Sequence, residues 1–78
     1  MQKWLYLRLL VYYDDTGKIT GAITNRDLVF KQADNASLLD LQNYLDACGT
    51  DGWEMVNATR ALGMFSIEEA YYFKRPIK

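Results

Sequence analysis

The chain has 78 residues, half of them hydrophobic and 14% aromatic, with a formal net charge of −1 and a pI near 5.2. That composition excludes a disordered chain, and the lack of a basic excess argues against a nucleic-acid or anionic-membrane binder. The length allows one domain, residues 1–78, and a domain of this size buries only roughly 60% of the surface its unfolded chain exposes.

Domains below about 80 residues usually draw extra stability from disulfides, a metal or association with other chains. Cys48 is the sole cysteine and histidine is absent. Neither an internal disulfide nor a zinc site can then be built, so no metal and no cofactor is expected. Association remains, with a homo-oligomer, a dimer first, as the expectation. The opening run MQKWLYLRLLVYY has the apolarity of a signal peptide, but Arg8 interrupts it, no small-residue cleavage site follows, and it is too short to span a bilayer. The reading is a mature soluble chain in the cytoplasm, without a membrane partner. Asn35-Ala36-Ser37 and Asn57-Ala58-Thr59 match the glycosylation pattern and, without a secretory signal, count as chance matches.

Lys3 to Tyr13 is rich in leucine, aromatic and β-branched residues without Gly or Pro, which predicts a strand. Asp14-Asp15-Thr16-Gly17-Lys18 predicts a turn, since Asp bonds its own backbone locally and Gly supplies positive φ. A second strand runs from Ile19 to about Thr24; after a bend or bulge at Asn25-Arg26-Asp27, Leu28 to Lys31 either resumes it or makes a strand of its own. Ser37 then caps a helix, with Asp40 in the capping-box position. Leu38, Leu41, Leu45 and Cys48 share one helical face, and Gly49 is the expected left-handed residue that stops the helix. Gly52 reverses the chain, and Trp53 opens a third strand reaching about Thr59. Ala61 to Met64 make a loop around Gly63. A fourth strand covers Glu68 to Arg75, ended by Pro76, which cannot donate to a ladder. The order β-β-α-β-β predicts a small α+β domain, one helix packed on a mostly antiparallel four-stranded sheet.

The stretch Gly49-Thr50-Asp51-Gly52-Trp53-Glu54-Met55-Val56 together with Leu45, and the C-terminal Tyr72-Phe73-Lys74-Arg75-Pro76, resembles the uncharacterised bacterial family called domain of unknown function 4177. The initial Trp4-x-Tyr6 pattern also fits, whereas Ile19 to Asp34 is longer than that family would have it. The resemblance covers the first strand and the C-terminal half. It implies the fold and supplies no catalytic residue, because the family carries no agreed activity.

In the first strand Leu5, Leu7, Leu9 and Val11 point one way, and Trp4, Tyr6, Arg8, Leu10 and Tyr12 the other. A strand with one solvated face should alternate apolar with polar; this one is apolar or aromatic on both sides. The last strand sets Tyr71 and Phe73 against Ala70 and Tyr72, and the third offers Trp53 and Met55 against Val56 and Ala58. Four six-residue strands present a face of roughly 400 Å², while a twelve-residue helix shadows roughly 180 Å². One helix therefore cannot cover one face, and the other is bare. The favoured reading is a non-enzymatic homo-oligomeric interaction or regulatory module whose aromatic sheet face, with Trp4, Tyr6, Arg8, Leu10, Tyr12, Val56 and Tyr72, pairs with another copy or docks an unidentified protein. The alternative covering is the chain's own Asn25 to Asn35 segment.

Enzymatic chemistry finds no foothold. Without histidine, acid–base work needs carboxylates, Lys, Tyr or Cys with shifted pKa values. Glu68 and Glu69 are adjacent on a strand and point to opposite faces. Cys48 lies on the buried helical stripe, where a cysteine behaves as an inert small hydrophobe. Asp15-Thr16-Gly17-Lys18 lacks the glycine spacing of a phosphate loop. The competing reading is a small-ligand binder with a pocket between subunits, in which Tyr6, Tyr12 and Tyr72 stack on a planar, nucleotide-like molecule and Arg8, Arg60 or Arg75 meets its phosphate. From Gln32 to Thr59 the chain carries Asp34, Asp40, Asp46, Asp51 and Glu54 but no Lys or Arg, which makes the helix side acidic and leaves the basic residues on the strands.

Overall fold

The computed structural model describes residues 1–62 and 66–77. In chain order the elements are β1 (Trp4–Tyr13), β2 (Ile19–Thr24), β3 (Leu28–Phe30), a 3-10 turn (Gln32–Asp34), α1 (Leu38–Thr50), β4 (Glu54–Leu62) and β5 (Ile67–Pro76). The strands form one antiparallel sheet in the order β3-β2-β1-β5-β4, and α1 packs on one of its faces. The α+β class with a single helix is as the sequence indicates, with five strands in place of four.

The additional strand comes from a reversal where a bend was expected. The backbone N–H of Thr24 donates to the Asp27 carbonyl at 2.8 Å, and the Thr24 hydroxyl accepts from the N–H groups of Arg26 and Asp27. These bonds close a tight turn, so Leu28–Phe30 runs back alongside β2 and does not extend it. The turn between β1 and β2 is built in the same way around Asp14. Its Oδ1 accepts from the Thr16 and Lys18 N–H groups and the Thr16 hydroxyl, and Gly17 takes a φ of 86°. These donors, the Thr16 hydroxyl first, hold the Asp14 carboxyl below its ordinary range.

The helix begins where the capping box places it. Ser37 Oγ accepts from the Asp40 N–H at 3.1 Å, and Asp40 Oδ2 accepts from the Ser37 N–H at 2.8 Å. Its end differs from expectation. Gly49 lies inside α1 without positive φ, Asp51 is the C-cap, and Gly52 is the left-handed residue, with φ of 90°. The Gly52 N–H donates to the Gly49 carbonyl and the Trp53 N–H to the Cys48 carbonyl, both at 3.0 Å. This is the paired bonding of a Schellman motif, in which the second residue after the cap also packs back onto the helix. Trp53 does so: it is buried in the core cluster with Cys48. It closes the helix, and β4 opens one residue later at Glu54.

The core lies between α1 and the alternate residues of the central strands. Leu7, Leu9, Val11 and Tyr13 of β1, Ile19 and Ala22 of β2 and Phe73 of β5 meet Leu41, Cys48 and Trp53. Leu38 departs from the expected stripe and is 67% exposed. It shares its side of the helix with Leu45, which packs against the core, but stands at the first position of α1. Tyr44 packs edge-on to Phe30 at 6.4 Å. The third strand passes the expected end at Thr59 and pairs with β5 up to Leu62, so Ala61 belongs to it; Gly63 and Met64 of the expected loop lie outside the described residues. At the C-terminus Pro76 is the last strand residue, and pairing runs from Ile67.

Two glycine substitutions separate the two possible helix stops. Gly52→Ala forces a side chain into a φ of 90° and should cost about 1 kcal/mol. Gly49→Ala adds a methyl group that meets nothing within 4 Å inside a helix, and should raise stability by up to about 1 kcal/mol. Urea unfolding of the two variants should move in opposite directions; a larger loss at Gly49 would place the stop there.

Candidate interaction surface

The face of the sheet opposite α1 has no element of the described chain over it. Register builds it row by row. Leu28, Ile23, Leu10, Ala70 and Thr59 stand side by side across all five strands. On one side of this row come Gly21, Tyr12, Glu68 and Ala61. On the other come Arg8 and Tyr72, then Tyr6, Lys74 and Glu54, and last Trp4 and Pro76. In β4 the pairing slips between Met55 and Asn57. That bulge sets Val56 and Asn57 together opposite Tyr72, because an inserted residue makes two positions face one.

The expected interface residues are therefore gathered: Trp4, Tyr6, Arg8, Leu10, Tyr12, Val56 and Tyr72 belong to one surface. Tyr6 is 64% exposed, and Val56, Ile23 and Tyr72 are exposed beside it. Trp4 is half-buried under the Lys74 ammonium, 4.2 Å from its ring centroid. The Asn25 to Asn35 segment leaves the face open. Asn25 continues the edge of β1, accepting from the Arg8 N–H at 2.9 Å and donating to the Arg8 carbonyl, and Phe30 turns to the helix side. Leu28, 64% exposed on the open face, is the member hardest to read from sequence: a bulge beside Ala22–Ile23 shifts the two-residue alternation on which its placement depends. Ile23, Glu68 and Lys74 follow from simple alternation once the register is known.

The residues of the ligand reading are not all brought together. Tyr6, Arg8 and Tyr12 are on the open face, but Arg60 stands opposite Glu69 and Arg75 opposite Leu5, on the helix side. Arg75 is already engaged. Its Nη1 donates to Asp51 Oδ2 at 2.9 Å and to the Asp51 carbonyl at 3.0 Å, so it binds the helix C-terminus, where carbonyls lack partners. Its guanidinium lies 4.4 Å from the Trp53 ring centroid, and that of Arg26 lies 5.5 Å away. Each contact contributes about 0.5–1 kcal/mol. The indole is thus a core side chain with guanidinium contacts at its margin.

β4 is the bare margin of the sheet. All nine of its residues are exposed, whereas the buried side chains of α1 join the core cluster of β1, β2 and Phe73. The ionisable groups with raised pKa values lie under or beside α1. Burial pushes the Tyr13 phenol far above its ordinary value of 10.0, and the Glu69 carboxylate beside it adds to this. Burial also raises the phenols of Tyr71 and Tyr44 and the Cys48 thiol. All four are kept neutral by burial, a state suited to packing and not to nucleophilic or basic work. Among the described residues no group of three metal-ligating side chains is close enough to hold an ion, and no helix is long and apolar enough to cross a membrane.

Comparison with protein-family models, with curated proteins and with solved structures finds no match. The resemblance to the uncharacterised family rests on the quoted residues alone.

The neutral tyrosines give a signed expectation. The folded chain keeps its phenol protons at a pH where the unfolded chain releases them, so this stability is fully present below pH 10.0, the ordinary value, and is lost as the pH rises beyond it. Urea midpoints measured between pH 8 and 11 should be flat and then fall above about 10. In Tyr13→Phe the fall should be shallower. An equal slope in the variant would remove Tyr13 as its source.

Proposed function

We propose that the protein is a non-enzymatic homo-oligomeric interaction module whose open sheet face is its contact surface. The observation that carries this reading is one uncovered face on which Tyr6 and Leu28, each 64% exposed, adjoin Ile23, Val56 and Tyr72. Five strands about 4.8 Å apart and some six residues long make roughly 480 Å² of projected face. Contiguous apolar patches of that size on a soluble protein mark binding surfaces. Two such faces together reach about 1,000 Å², the lower bound for a specific interface. At about 25 cal/mol per Å² of apolar area, and with about half of that burial apolar, the gross gain is about 12 kcal/mol, comparable with the 4–15 kcal/mol for lost freedom and ordering.

One observation favours a second reading, a small planar ligand. A shallow recess of about 360 Å³ lies beside Trp53, but it is lined by Asp27 and Asp51 as well as Arg26. A recess of about 330 Å³ between Tyr6, Arg8 and Tyr72 offers aromatic rings and a guanidinium without an acid. That is near the lower size of ligand pockets. A melting-temperature shift with one member of a nucleotide panel would favour this reading.

Sedimentation at micromolar concentration separates the two. The wild-type chain should run as a dimer, and Tyr6→Glu, which puts a charge on an exposed aromatic position of the contact face, should weaken association at least about tenfold, about 1.4 kcal/mol, while the variant stays folded. A wild-type chain that remains monomeric with Tyr6 free in solution would overturn the interface reading.

A further inference from the structure

We infer that two copies stack their open faces with strands antiparallel, about a two-fold axis running along the row Ile23-Leu10-Ala70-Thr59. This rests on the reading of that face as the contact surface and adds the partner's orientation. Charge placement along the strands carries it. Arg8 and Lys74 lie on one side of the central row, with Glu54 at their outer edge, and Glu68 lies on the other. Beyond Glu68 the strands run into the turn that holds Asp14, Asp15 and Lys18, one net negative charge. The face is thus basic toward the β1 start and acidic toward the β1 end.

Stacked parallel, with an axis along the strands, the basic ends of the copies would coincide, and so would the acidic ends, placing like charges against one another at both. Rotated about the row, Arg8 comes over the partner's Tyr12 and next to the partner's Glu68, and Tyr72 meets the same carboxylate from its own strand. Guanidinium over ring and phenol to carboxylate are both favourable pairings, and symmetry makes each of them twice. The apolar row then meets itself on the axis. The strands of both sheets stay aligned, as face-to-face sheets pack, about 10 Å apart.

Cysteine cross-linking reads the orientation directly. Cys48 is buried and the wild-type chain serves as the background. Thr59→Cys puts an exposed thiol on the axis, so its copy in the partner should lie about 10 Å away. Lys74→Cys is two rows off the axis, so its copy should lie about 26 Å away along the strands. A bifunctional maleimide matched to the shorter distance should convert most of the Thr59→Cys protein to covalent dimer and leave Lys74→Cys at the wild-type level. Cross-linking of Lys74→Cys without Thr59→Cys would show the parallel stack and overturn the inference. In a chain that sediments as a dimer, cross-linking of both or of neither would also overturn it, with the dimer itself intact. A chain that sediments as a monomer removes the contact surface and the orientation together.

Discussion

A single α-helix is narrower than the sheet it lies on, and this mismatch governs the molecule. Thirteen helical residues make a rod about 20 Å long and about 10 Å wide, whereas five strands span about 24 Å. The helix settles where its burial is greatest, over the leucines and valine of β1 and the small Ala22 of β2. The outer strand β4 is then left exposed at every position, and the reverse face of the sheet carries tyrosines where a solvated strand would carry polar side chains.

The helix can hold this position because its end is fixed by backbone chemistry. Gly52 turns the chain in the left-handed region, the freed N–H groups of Gly52 and Trp53 satisfy helix carbonyls, and the indole drops into the core between Cys48 and the sheet. Arg75 then ties β5 to the same corner through Asp51. An exposed ion pair contributes at most about 1 kcal/mol, so the corner depends mainly on the turn and the buried ring. A stretch with the look of a signature is therefore a joint that sets the angle between helix and sheet, and that angle decides which strands go uncovered.

The same geometry sets where the ionisable side chains lie. The phenols and the thiol whose pKa values are raised lie beneath or beside α1 and are held neutral, while the Asp14 carboxyl, held low, belongs to the first turn. The open face instead distributes charge along the strands, basic at one end and acidic at the other. A surface of that kind is suited to orienting a partner, since opposed fields select one docking direction over its reverse.

Several features follow from local chemistry alone and were readable in the residues. Ser37 and Asp40 cap the helix, Asp14 and Gly17 close the first turn, and the double-sided apolarity of Trp4 to Tyr13 marks a strand that one helix cannot cover. Each depends on neighbours within a few positions, where side-chain type dictates backbone geometry. Tertiary structure decided what depends on pairing between distant segments. The chain reverses at Thr24–Asp27, because that turn can form only where β2 has a free edge. Gly52, not Gly49, ends the helix, because Trp53 must reach the core. Bulges in β3 and β4 reassign the faces of Leu28 and of Ala58, which stands opposite Tyr71 on the helix side and not beside Val56, and the register of β5 sends Arg60 and Arg75 away from Tyr6. An inserted residue inverts strand alternation beyond it, and nothing in the composition of a strand announces where the insertion will fall.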